Sequence, residues 1–318
     1  MNMNKLNCLP NVIIAGVMRC GTTSLFRYLS AHPDVFIAAK KELNIFYNYK
    51  TSEEIKNEYA SYFQEYKGAE KILLEASPKY MRRSTTIPKI INEIIPEAKI
   101  ILIFRNPIER IQSVYKALKR SGTLKNNVSL NSYVESMLME TPDVSIFNGS
   151  ENLAELSTEI ERGRYSTLLG NVLSAIPHDQ IYVGFVDSLS SDPMSEMKRV
   201  CEFLELDSTF YNSFQFHVEN PTINAKWPLL YRIALNINVF FEPILNRTPS
   251  IRRAVRNAHH VINKSSDHEE SFSENTIQTL WSYYADDISQ LGKMLSQIES
   301  SVTPSWITEG SAIIEVGD

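Results

Sequence analysis

Cysteine is scarce in this 318-residue chain. Its three residues, Cys8, Cys20 and Cys201, are odd in number and far apart, with no Cys-x-x-Cys pair and no Cys/His ligand spacing. A disulfide scaffold and a structural zinc site are thereby excluded, and a reducing, cytoplasmic setting is expected. An excess of positive charge is missing too. Lysine and arginine total 32 against 37 aspartates and glutamates, a net charge of −5. The surface as a whole therefore lacks the positive field that non-specific nucleic-acid binding needs, and any anion must be held locally. Nucleic acid is not an expected partner. No apolar run reaches membrane-spanning length: the longest, Trp227 to Leu245, is interrupted by Arg232, Asn236, Asn238 and Glu242. The opening MNMNKLNCLP lacks the charged start and apolar run of a secretory leader. Internal repeats and low-complexity tracts are absent as well. What is there, 43% hydrophobic and 22% charged residues, is the composition of a globular protein with a full core.

Short apolar runs alternate with helical periodicity through the first two thirds. Asn11 to Ala15, Lys71 to Glu75, Lys99 to Phe104 and Gln180 to Phe185 read as buried strands, with a weaker one at Asp34 to Ile37. Between them, helices are expected over Thr22–Ser30, Ser52–Tyr66, Thr85–Ile95, Pro107–Arg120, Leu153–Ser174 and Pro193–Leu204. Apolar strands separated by helices predict an α/β fold with a central parallel sheet. After Asp207 the strand signal stops. Residues 208–318 read as a mainly helical extension covering the 10–207 core of a single domain, with Ile277, Leu280, Tyr284, Ile288, Leu291 and Leu295 on one face of a helix over Asn275–Ile298.

Chemistry concentrates in VIIAGVMRCGTTSL, residues 12–25, where an apolar strand meets Gly16, then Gly21-Thr22-Thr23-Ser24, then a helix. Glycines let the backbone approach a ligand, and N–H groups at a helix start form an anion site. A phosphate or sulfate cradle is expected. The bland alternative, a strand-to-helix turn with capping threonines, explains the threonines but not both glycines and Arg19. The spacing matches GxxxxGK[ST] except that Thr22 stands in the lysine position. That lysine normally reaches the β and γ phosphates, and the apolar run KIILIF ends in Arg105 where a magnesium-holding aspartate would be expected in a nucleotidase. These residues suit an anionic donor that requires no metal. A small-molecule or nucleoside kinase with a degenerate loop, and a nucleotide-binding module without catalysis, stand as alternatives.

The sequence here resembles the sulfotransferases that use 3′-phosphoadenosine 5′-phosphosulfate (PAPS), in the branch holding bacterial enzymes and heparan sulfate sulfotransferase domains. GVMRCGTTSL resembles the 5′-phosphosulfate loop, FRNPIERIQSVYKALKRSG the 3′-phosphate motif, KKELNIF the KEPHFF-type segment, and LLEASPKYM the strand-end SPxY element. The resemblance implies the P-loop-like three-layer sulfotransferase fold and transfer of a sulfuryl group to an acceptor hydroxyl on a carbohydrate, glycolipid or small molecule. The product is adenosine 3′,5′-bisphosphate (PAP). It further implies that Arg19, Cys20, Gly21, Thr22, Thr23 and Ser24 hold the phosphosulfate, that Arg105 and Ser113 grip the 3′-phosphate, and that Arg164, Tyr165 and Lys226 touch the cofactor. Arg19 would also stabilise charge on the bridging oxygen as the S–O bond breaks.

On the acceptor side, the resemblance makes Glu42 the general base and Lys41, Asn44 and Ser77 substrate contacts. Two positions depart from the heparan pattern: Asn44 replaces a histidine, and Ala76 follows Glu75 where the 3-O branch has lysine. A heparan substrate is therefore not expected. The stretch 227–264 combines Trp227, Phe240 and Phe241 with Arg252, Arg253 and Arg256. It is a candidate contact for an amphipathic acceptor or a membrane surface, against the plainer reading of a solvated helix face.

Overall fold

The structure is a computed structural model that describes residues 8–48, 51–82, 85–149, 152–216 and 270–308. Lys226 and the 227–264 stretch lie outside the described residues. The chain divides into two compact units, one made of residues 1–107, 164–219 and 283–318, the other of residues 108–163 and 220–282.

The first unit is built on a parallel sheet: β1 (Val12–Gly16), β2 (Val35–Ile37), β3 (Ile72–Ala76), β4 (Lys99–Phe104), β5 (Ile181–Phe185) and a two-residue edge strand, β6 (Glu299–Ser300). Their order is β2-β3-β1-β4-β5-β6, and every pairing is parallel. Every residue of β1, β3 and β5 is buried. That requires cover on both faces, the α/β arrangement expected from their unbroken apolar runs. From β1 the chain crosses to β2 and β3 on one side, then to β4 on the other. The opposed connections leave a crevice at the carboxyl end of β1, where open α/β sheets bind ligands.

Seven helices of nine or more residues occur among the described residues: α1 (Thr22–Ser30), α2 (Ser52–Tyr62), α3 (Pro107–Ser121), α4 (Leu130–Leu138), α5 (Tyr165–Leu173), α6 (Pro193–Leu204) and α7 (Glu274–Leu295). Thr51 opens α2 with a capping box to Glu54, and Pro193 opens α6 behind Asp192. The single helix expected over Leu153–Ser174 is broken. A short helix Leu153–Leu156 and a 3₁₀ turn Glu161–Gly163 precede α5, because Asp287 of α7 caps a new helix start there. The helix expected over Thr85–Ile95 ends in a π turn, Ile90–Ile94. In the second unit, Ile111, Val114, Tyr115, Tyr133 and Val134 form the core. The buried Arg110 donates to the Glu159 carboxylate at 3.0 Å and to its backbone carbonyl at 2.9 Å, pairing a charge that would otherwise be very costly to bury.

Candidate active site

The glycine loop leaves the sheet through a register shift. Ile14 pairs with Ile101 but Gly16 with Leu102, which leaves Ala15 as an extra residue, and Val17 N–H then donates to Ile103 O at 3.0 Å. Gly16 packs too closely for any side chain: a Cβ there would lie 2.6 Å from Met81 Cβ. Two left-handed residues shape the turn, Arg19 (φ 68°) and Gly21 (φ 76°). Gly21 caps α1 and brings no side-chain acceptor of its own. The first bonds of the helix run from Ser24 and Leu25 N–H to Gly21 O, so the N–H groups of Thr22 and Thr23 precede the ladder. A sulfonate or phosphate fits this end, where N–H groups and the helix dipole favour an anion. The backbone needs glycine at position 21, whose Cβ would meet Val186 Cγ2 at 3.3 Å. Thr22 and Ser24 are buried and Thr23 half-buried. Cys20 turns inward. Its thiol is fully buried, 3.8 Å from the Tyr165 hydroxyl, and its N–H donates to Val17 O at 3.3 Å.

A second loop reaches this cradle from the far side of β3. Lys41 Nζ donates to Thr23 Oγ1 at 2.8 Å and lies 3.5 Å from Glu42 Oε1, with side chains 24% and 45% exposed. Burial lowers the Lys41 ammonium from its ordinary value, and the adjacent Glu42 carboxylate opposes that fall. A cation thus links the helix-start hydroxyl to the carboxylate expected to act as base. Glu42 (φ 60°) and Asn44 (φ 52°) are both left-handed, a conformation asparagine tolerates well and glutamate poorly. The end of β3 holds them there. Glu42 N–H donates to Ala76 O at 2.9 Å, Asn44 N–H to Ser77 Oγ at 3.0 Å, and Asn44 Nδ2 to Glu42 O at 2.8 Å. Ser77 Oγ in turn donates to Glu75. Asn44 and Ser77 thus hold the 42–44 loop together.

At the end of β4, Arg105 is half-buried, and its carbonyl accepts from Tyr165 Oη at 2.8 Å. Tyr165 is wholly buried and stacks on Phe104, with centroids 4.5 Å apart and planes at 6°; its edge meets Trp306. It joins the glycine loop, through Cys20, to the strand end that carries Arg105. Arg164 is exposed and lies 6.0 Å from the Tyr283 ring. Sequence reasoning missed the group that sets this corner. The Asp287 carboxylate, 2% exposed, accepts from Ser166 N–H at 3.0 Å and Thr167 N–H at 3.3 Å, capping α5 from another helix. A carboxylate in line with Leu280, Tyr284 and Leu291 on an apolar stripe was the available signal. Ser113 is a buried residue of α3. It belongs to the second unit, and its assignment rests on the sequence motif alone. Arg82 is a further cation beside the loop, its Nε 3.1 Å from Met18 Sδ.

Residues 9–226 match the family described as Sulfotransferase domain. Among curated relatives, the membrane-associated sulfotransferase kil1 of Dictyostelium discoideum is 39% identical over 113 residues, which is 35% of this chain and 23% of that protein. Heparan sulfate glucosamine 3-O-sulfotransferase 5 of Mus musculus is 27% identical over 207 residues, 62% of this chain and 54% of the relative. The chain therefore spans about half or less of the length of these relatives. A sulfotransferase from Alicyclobacillus acidocaldarius shares the fold, with a TM-score of 0.60 at 20% identity over 90% of this chain and 96% of that one. With the family matched across more than half its length, this chain belongs to the sulfotransferase domain family.

Proposed function

We propose that the protein transfers a sulfuryl group from PAPS to an acceptor hydroxyl, at the carboxyl ends of β1, β3 and β4. The observation that supports this most directly is the chain of contacts from the α1 start through Thr23 and Lys41 to Glu42. An anion cradle, a cation and a carboxylate base stand in line there. PAPS, when bound, supplies the sulfuryl group, and PAP leaves. The N–H groups of Thr22 and Thr23, with the hydroxyls of Thr22, Thr23 and Ser24, hold the phosphosulfate end. Arg19 stabilises charge developing on the bridging oxygen, a preorganised electrostatic role. Arg105 and Ser113 hold the 3′-phosphate; a guanidinium offers that group a two-point fit. Tyr165 positions Arg105 through its carbonyl, and Lys226 is carried over from the family as a further nucleotide contact.

Glu42 takes the proton from the acceptor hydroxyl, whose oxygen bonds to sulfur as the S–O bond to the nucleotide breaks. Lys41 orients that carboxylate. The acceptor is a carbohydrate, glycolipid or small molecule rather than a long polyanion, on the support of the net charge of −5 and of Asn44 and Ala76 in place of the heparan-type residues. Free thiols at Cys8, Cys20 and Cys201 support a reducing, cytoplasmic setting.

Calorimetry with PAP, and separately with ATP and Mg²⁺, tests the donor class. PAP is expected to bind without metal and in preference to ATP. Tighter binding of ATP with Mg²⁺ would overturn the reading in favour of a kinase. Arg105→Ala should weaken PAP far more than adenosine 5′-phosphosulfate, which lacks the 3′-phosphate.

A further inference from the structure

The family match ends at residue 226, yet two residues beyond it converge on the start of α5, beside the candidate site. Asp287 of α7 is 2% exposed, and a carboxylate so buried is costly to keep without donors. Its oxygens accept from Ser166 N–H at 3.0 Å, from Thr167 N–H at 3.3 Å and from the hydroxyls of both residues. Those donors open α5, whose first residue is Tyr165. Arg164, at the cap position, makes no side-chain cap bond, so the first turn of α5 is fixed from α7 instead. Trp306 is the second residue. It meets the rings of Tyr165 and Phe185 edge to face, with centroids 6.4 and 6.0 Å away. Its indole Nε1 donates to Asp187 Oδ2 at 3.4 Å, which ties the ring to the end of β5.

We infer that Asp287 and Trp306 are positioning residues for the sulfuryl donor and act through Tyr165. The inference rests on the reading of the glycine loop and Arg105 as the two ends of the donor site. Tyr165 is 0% exposed, and its hydroxyl reaches both ends: it donates to Arg105 O at 2.8 Å and stands 3.8 Å from Sγ of Cys20, the residue between Arg19 and Gly21. Its ring stacks on Phe104, the last residue of β4, with planes at 6°. A stack of this kind fixes the plane of a ring but lets it slide. Sliding is opposed by the Trp306 edge on one side and by the backbone of Tyr165 on the other, which Asp287 holds through the next two residues. The donor carries its phosphosulfate and its 3′-phosphate on one nucleotide, so both ends of the site must be in place at once. The tyrosine that joins those ends sets their separation only as accurately as it is itself held.

The test is calorimetry on the full chain with PAP and with adenosine 5′-phosphosulfate, at a temperature below the melting point of every variant used. Tyr165→Phe keeps the ring and removes the hydroxyl. Asp287→Asn keeps the size and leaves one acceptor oxygen in place of two. Each should weaken PAP about five- to tenfold, the equivalent of about one hydrogen bond, and should weaken adenosine 5′-phosphosulfate, which has no 3′-phosphate for Arg105, much less. Trp306→Leu should show the same bias toward PAP. In the double variant of Tyr165 and Asp287 the two losses should not multiply, because both act on one hydroxyl. Ser166→Ala, which takes one hydroxyl from the same cap, should give a smaller PAP loss and serves if Asp287→Asn does not fold. Thr51→Ala removes the capping box of α2 and is the control for lost stability alone; it should leave PAP binding unchanged. Wild-type PAP affinity in Asp287→Asn and Trp306→Leu, losses that multiply in the double variant, or an equal loss in Thr51→Ala would each overturn the inference. A wild-type protein that does not bind PAP would refute the donor reading itself, and the inference with it.

Discussion

Burying Glu75 makes the stability of this protein depend on pH in a direction opposite to that of a salt-bridged carboxylate. The folded state holds the proton up to about 8, whereas the unfolded chain releases it near 4.5. Between those values the folded state binds more protons, so stability falls as pH rises, and above about 8 the loss levels off. At about 1.36 kcal/mol per pH unit, the interval from 4.5 to about 8 amounts to about 5 kcal/mol, a large share of a typical folding free energy. Glu75→Gln removes the titration while keeping the Ser77 hydrogen bond. Urea unfolding of both proteins, followed by tryptophan fluorescence at intervals from pH 4.5 to 9, reads the difference. The two should be nearly equal at the acid end, with the variant gaining to about 5 kcal/mol by pH 8 and no further. Parallel stability curves would refute the reasoning, because they would mean that the folded state does not retain this proton.

Other residues carry predictions of their own. Asp287→Ala should cost about 2–3 kcal/mol, because Ser166 and Thr167 N–H lose their acceptor at a buried helix start; a fall in melting temperature of less than a degree would contradict that. Gly21→Ala places a side chain at φ 76°, 3.3 Å from Val186, and should cost about 1 kcal/mol of stability while weakening PAP in calorimetry; unaltered PAP binding would remove the loop from the site. Lys41→Met leaves Thr23 and Glu42 without their shared cation. It should weaken PAPS but not PAP, which lacks the sulfonate; equal losses would show that Lys41 serves the nucleotide rather than the transferring group.

Much of the sheet was legible because its strands are apolar runs bounded by turn residues. Lys99–Phe104 forms over the expected residues, and β1, β3 and β5 lie within one residue of them. The helix starts at Thr22, Pro107 and Pro193 were equally plain, each with its local signal of glycine, proline or cap. What escaped depends on contacts between distant segments. β6 has two residues, and only the edge of β5 makes it a strand. The helix over Leu153–Ser174 breaks because a carboxylate 121 residues from Ser166 caps its second half. α4 was missed altogether, its register of Leu130, Tyr133, Val134 and Met137 lying in a stretch dominated by polar residues. At the site, the loop residues and Arg105 could be named from spacing and resemblance. The part played by Tyr165, whose hydroxyl reaches the backbone 60 residues away, could not.

The central claim is sulfuryl transfer with Glu42 as base, and the most direct measurement follows a ³⁵S label from PAPS in the presence of an extract of the source cells. The label should leave the nucleotide for a hydroxyl compound, with one PAP formed per label transferred, and Glu42→Gln should bind PAP normally yet transfer almost none. Label that stays on the nucleotide with the wild-type protein, or that moves equally well with Glu42→Gln, would contradict the account.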